Sequence, residues 1–86
     1  MNNSQRKLRL LIDEIMKIND RKTMENFLLG LLTPQEIMEL PTRIEIVKLL
    51  KKGIPQVQIA KKLGIGVATV TRGSTEIKKG RFINIK

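Results

Sequence analysis

The stretch QVQIAKKLGIGVATVTRGS, residues 56 to 74, leaves this chain the fewest options. Ile59, Ala60 and Leu63 recur at helical spacing, and Gly64 then supplies a residue able to enter the left-handed region where helices end. Only Ile65 and Gly66 separate that end from a second helical register through Val67 and Val70, so two short helices meet at a sharp corner, a helix-turn-helix. Ala60 falls where the helices approach each other and a larger side chain would hold them apart. Ile59, Leu63, Ile65 and Val70 close the corner from inside. Val67, Ala68, Thr69, Thr71 and Arg72 project from the start of the second helix, with side chains of a size that reaches base edges in a major groove. A helical hairpin that only packs would show the same spacing, so the motif needs a second observation beside it.

Charge provides one. From Arg43 onward there are eleven Lys and Arg against two acids, whereas residues 1–42 carry six of each. The net charge of +9 therefore lies in the part of the chain that holds the hairpin. Lys51, Lys52, Lys61, Lys62, Lys78, Lys79 and Arg81 would attract phosphates whatever the base sequence, the electrostatic footprint of a nucleic-acid-binding protein. On the first hairpin helix, Gln56, Gln58 and Lys61 are placed to steady it on a duplex backbone. A solvated basic face, or one that meets an acidic protein or an anionic membrane, is the other reading of this balance.

Length and composition exclude several classes. Eighty-six residues make one domain at most, and so short a chain buries a small share of its surface, which makes a partner subunit plausible. Two Phe are the only aromatics, so the core is aliphatic and stacking on single-stranded bases is disfavoured. The absence of Cys and His removes disulfides, thiolate or imidazole metal sites and the commonest general base. No constellation for an enzyme, a metal or a cofactor is found. No apolar run has the length of a membrane span, and MNNSQRKLRLL lacks the apolar core of a signal peptide, so a cytoplasmic, membrane-free protein is expected.

In chain order, residues 1–7 are polar and expected to fray. Leu8, Leu11, Ile12, Ile15 and Ile18 then mark an amphipathic helix that Asn19-Asp20 should end. Asp20 can cap the next helix, through Met24, Phe27, Leu28 and Leu31, whose apolar cluster Phe27–Leu32 needs a core or a second copy of the chain to cover it. Thr33-Pro34-Gln35-Glu36 is a capping box with proline at the first helical position. The helix it opens runs through Ile37, Leu40, Ile44, Val47 and Leu50 to Gly53. Pro41 falls inside it, at a cost of about 3 kcal/mol or more, so a kink or two consecutive helices is expected. Pro55 suits the first turn of the hairpin, and its second helix should reach about Lys79 before Gly80. For Arg81–Lys86, a phosphate-touching tail, a strand-like extension and disorder all stay open. The expectation is an all-α chain of one domain: dimerisation core 1–32, central helix 33–53, DNA-reading head 54–80 and basic tail 81–86.

The segments LLTPQE, LPTRIEIVKLL and GIGVATVTRGSTEIKKG resemble the Trp repressor family over roughly Leu31–Lys79. That resemblance implies an intertwined homodimer in which N-terminal helices of both chains build a shared core and each hairpin reads operator DNA. It also implies a corepressor, L-tryptophan, in a cleft between core and head. The arginines that flank its ring match Arg43 and Arg72, with Arg72 also partner to its carboxylate. Thr33 and Gly73 match positions beside the ligand, and the Gly30–Leu32 backbone matches the segment that receives its amino group. Each has a plainer reading: Thr33 as a helix cap, Gly73 as a close-packing position, the two arginines as phosphate contacts or partners of Glu36 or Glu39.

The chain also departs from the family pattern. Glu76 stands where the family usually has Ser near the ligand's amino group, and could pair with an ammonium or fill the pocket. Val57 and Ala60 stand at the positions of the family's base-reading arginine and phosphate-binding lysine, so a different operator is expected. The family's last helix has no counterpart in residues 1–86, which suggests a smaller or weaker dimer or a natural minimal form. A DNA-binding regulator that responds to no effector is the alternative to corepressor control, and a basic protein-interaction module is the alternative to both.

Overall fold

The computed structural model describes residues 1–86 as five α-helices with no strand: α1 (Asn3–Met16), α2 (Arg21–Leu31), α3 (Pro34–Lys51), α4 (Gln56–Leu63) and α5 (Val67–Lys78). The all-α expectation holds. Its contacts fall into two units, Met1–Ile37 and Met38–Lys86. No helix is long and apolar enough to cross a membrane.

In the first unit α1 starts at Asn3, and residues 3–7, expected to fray, are helical. The reason is local and polar. The Asn2 side chain accepts from the Gln5 amide at 2.8 Å and the Gln5 side chain accepts from the Asn2 amide at 3.0 Å, a reciprocal box that satisfies two donors otherwise orphaned at a helix start. The helix ends at Met16, short of Asn19-Asp20, and Asp20 caps α2 as expected, accepting from the Thr23 amide at 2.9 Å. Those bonds to Thr23 favour the ionised carboxyl and hold Asp20 below the ordinary aspartate range. The Thr33 box also forms: the Glu36 amide donates to Thr33 Oγ1 at 3.1 Å and the Thr33 amide to Glu36 Oε1 at 2.9 Å. Neither α1 nor α2 has a buried residue, and Leu8, Leu11, Ile12, Leu29 and Leu31 are exposed.

In the second unit the core is α3 against the hairpin. α3 is a single helix through Pro41, so of the two outcomes expected there the break into two helices does not occur. Proline removes the amide that would reach the Ile37 carbonyl and crowds that carbonyl with its ring. The turn beyond it is held by burial of Ile46 and Val47, and the Thr42 hydroxyl adds a bond to the Met38 carbonyl at 3.1 Å. Ile46, Ile59, Ala60 and Val70 form the buried cluster, with Leu49, Leu50, Ile54, Leu63 and Ile65 packed around it. Full burial of such a side chain stabilises by about 1.5–3 kcal/mol, so a few of them dominate so small a unit. Pro55 precedes α4 as its N-cap instead of entering the first turn, and its carbonyl accepts from the Ile59 amide at 3.1 Å.

Gly64 makes the corner. At φ 67° and ψ 38° it is left-handed, which lets the Ile65 amide return to the Ala60 carbonyl at 3.0 Å and the Gly64 amide to Lys61 at 3.3 Å. The same pair of bonds ends α5, from Arg81 to Glu76 at 3.1 Å and from Gly80 to Ile77 at 2.9 Å. The residues after it form a turn, not a strand-like extension. A turn closes between the Ile85 amide and the Phe82 carbonyl at 3.1 Å, and the Lys51 ammonium at the end of α3 donates to the carbonyls of Phe82 and Ile85.

Candidate ligand cavity and nucleic-acid interface

Two helix faces in the second unit line a cavity of about 670 Å³, within the usual range for small-molecule sites. From α3 come Arg43, Ile46 and Val47, spaced i, i+3, i+4; from α5 come Ala68 and the set Thr69, Arg72, Gly73, Glu76, spaced i, i+3, i+4, i+7. Arg81 and Phe82 complete it. Apolar walls from Ile46, Val47 and Phe82 are thus joined by three guanidiniums and one carboxylate, a lining suited to a flat or apolar body with an acidic group.

The charges are not equally committed. Glu76 Oε1 lies 3.6 Å from Lys79 Nζ and Glu76 Oε2 lies 3.6 Å from Arg81 Nε. Neither Arg43 nor Arg72 enters a salt bridge. Gly73 serves close packing: a Cβ built there would lie 3.1 Å from Ile46 Cγ2 and 3.5 Å from Leu50 Cδ1. Of the ligand-site residues inferred from the sequence, Arg43, Arg72, Gly73 and Glu76 therefore lie on one cavity. Thr33 belongs to the other unit, where it caps α3.

Sequence reasoning missed Ile46, Val47, Arg81 and Phe82 as cavity walls. The first two carry a legible signal, since they fall three and four residues beyond Arg43 and so share its helix face. Arg81 and Phe82 carry none. Phe82 sits at φ 60°, a left-handed conformation no aromatic residue advertises, imposed by the turn that Lys51 holds.

On the hairpin's outer side Val57, Gln58, Lys61, Val67, Ala68, Thr69, Thr71 and Arg72 are exposed and Gln56 is half-buried. The Thr71 hydroxyl has one hydrogen and two acceptors in reach, Gln56 Oε1 at 2.6 Å and the Val67 carbonyl at 3.1 Å. The shorter contact ties the start of α4 to α5. Ala68, Thr69 and Arg72 have two aspects: they were expected on the duplex, and they also line the cavity.

A family model described as Trp repressor protein matches residues 6–82. A Trp operon repressor homolog of Vibrio vulnificus (strain YJ016) is 41% identical over 69 residues, 79% of this chain and 68% of the relative. The homolog of Vibrio cholerae serotype O1 is 39% identical over 69 residues, 79% and 67% of the two chains. That of Aliivibrio fischeri (strain MJ11) is 49% identical over 49 residues, 56% and 45%. No solved structure gives a significant match.

Proposed function

This chain belongs to the Trp repressor protein family, and from that premise we propose that it is a DNA-binding transcriptional repressor under corepressor control. L-Tryptophan, held in the cavity between α3 and α5, sets the affinity of the hairpin for its operator. The observation that carries this reading is the double use of α5. Ala68 and Thr69, in its first turn, are exposed for a duplex and also line the cavity, so a molecule that fills the cavity changes the free energy of the helix's placement on α3. Arg43 and Arg72, which no carboxylate engages, flank the indole ring, with Arg72 gripping the ligand carboxylate; Glu76 meets the ammonium. Gln56, Gln58 and Lys61 steady the head on phosphates while Val67, Ala68, Thr69 and Thr71 meet the groove. The exposed aliphatic side chains of α1 and α2 are covered by a second copy, giving a homodimer whose heads reach successive major grooves about 34 Å apart.

One observation favours the alternative of an effector-independent regulator: Glu76 already has Lys79 and Arg81 as partners. Isothermal titration of L-tryptophan into the wild type and an Arg72→Ala variant separates the two. Saturable binding of one ligand per chain, lost in Arg72→Ala, is the expected result. No heat in either protein, with an unchanged melting temperature, would replace corepressor control with the effector-independent reading. A protein that binds random duplex as tightly as any selected sequence would sink both and leave a basic interaction module.

A further inference from the structure

With Gln58 and Lys61 of α4 given to the duplex backbone, the exposed start of α5 is poor in the groups that read bases by hydrogen bonds. Bidentate recognition of guanine needs an arginine or lysine, and of adenine an amide with both ends free. At the exposed start of α5 stand Val67, Ala68, Thr69 and Thr71, with no cation and no amide among them. Arg72, the first cation, lines the cavity. Gln56 at the start of α4 has its Oε1 within 2.6 Å of the Thr71 hydroxyl, a contact that occupies one lone pair and holds the amide toward α5.

Methyl groups stand there instead. Val57 is 60% exposed and Val67 47%, and they are the only large apolar side chains of α4 and α5 left so open to solvent. The Gln56–Thr71 bond brings their neighbourhoods together: Val57 follows Gln56 in α4, and Val67 precedes Thr71 by one turn of α5. The base feature complementary to such a surface is the 5-methyl of thymine, the one apolar group that B-DNA presents in its major groove. Resting on the repressor reading, we infer that this head recognises thymine by its methyl group, and that Val57 is a specificity-determining residue that does so from the first hairpin helix.

The test uses the full chain with L-tryptophan present. Duplexes are selected from a random pool, each thymine of the preferred sequence is replaced singly by uracil, and affinities are measured for the wild type and for Val57→Ala. Burying one methyl gains about 0.8 kcal/mol, so loss of a recognised methyl should weaken the wild type about fourfold. In Val57→Ala that discrimination should vanish at one thymine and persist at those met by Val67. Val57→Arg should move the preference at the same position toward guanine, whose O6 and N7 take a guanidinium. Uracil duplexes bound as tightly as thymine duplexes at every position, with the selected sequence still preferred, would overturn the inference and leave the repressor reading standing. Val57→Ala keeping discrimination at every thymine would remove Val57 from the role. A pool that yields no preferred sequence would overturn both readings together. Val57 is largely exposed, so the variant should melt with the wild type; the uracil series on the wild type decides the methyl question in any case.

Discussion

Gly73→Ala and Gly30→Ala are the same change inside two helices, yet the structure predicts different outcomes. Alanine is favoured over glycine in a helix interior by about 1 kcal/mol, and both variants gain that term. At Gly30 in α2 nothing lies within 4 Å of the added Cβ, so the gain stands, reduced somewhat by closeness to the helix end. At Gly73 the Cβ meets Ile46 Cγ2 at 3.1 Å, closer than methyl groups tolerate. Ile46 is 1% exposed and belongs to the buried cluster with Ile59 and Val70, and a β-branched side chain has no spare rotamer with which to retreat. Overpacking of that kind costs about 1–3 kcal/mol, which meets or exceeds the propensity gain. The net expectation is a loss of up to about 2 kcal/mol for Gly73→Ala against a gain of up to about 1 kcal/mol for Gly30→Ala. At about 4–8 °C per kcal/mol for a domain of this size, thermal melts followed by circular dichroism resolve the difference. Equal upward shifts in the two variants would refute the packing of α5 on α3 described here.

Three further perturbations probe other parts of the chain. Ile59→Ala empties a fully buried site in the hairpin and should cost about 2–5 kcal/mol, so denaturant unfolding should show the second unit melting early, and duplex binding should fall with it. Lys51→Ala removes the donor to the Phe82 and Ile85 carbonyls; exchange of the Ile85 amide with deuterium should accelerate while that of Val70 is unchanged. Acidification should loosen α2 at its start. Asp20 is depressed in the folded chain, so the stabilisation it gives is present above the ordinary aspartate range and is lost as pH falls through its lowered folded value. A Thr23 amide whose proton shift follows no titration in that acid range would count against the cap.

Much of the helix punctuation could be read directly. Asp20, the Thr33 box, Gly53, Gly64 and Gly80 act through hydrogen bonds that span at most five residues, so local sequence carries the whole cause. The start of α1 is local too, but Asn2 and Gln5 make its capping box from the less familiar amide pair, which apolar spacing does not mark. The intrinsic cost of Pro41 is local, whereas the burial of Ile46 and Val47 that offsets it in the same helix is tertiary.

The sequence by itself determined the all-α character, the corner at Gly64 and the concentration of charge after Arg43. Each follows from periodicity, from a short-range bond or from a count of charges. Only the tertiary structure decided that Arg43 and Arg72 share one cavity, and that Phe82 closes a wall. Those depend on the packing of α3 against α5 and on the bonds from Lys51 to Phe82 and Ile85, more than thirty residues along the chain. Contacts between residues so far apart in sequence arise from the shape of the whole core, which no local pattern encodes.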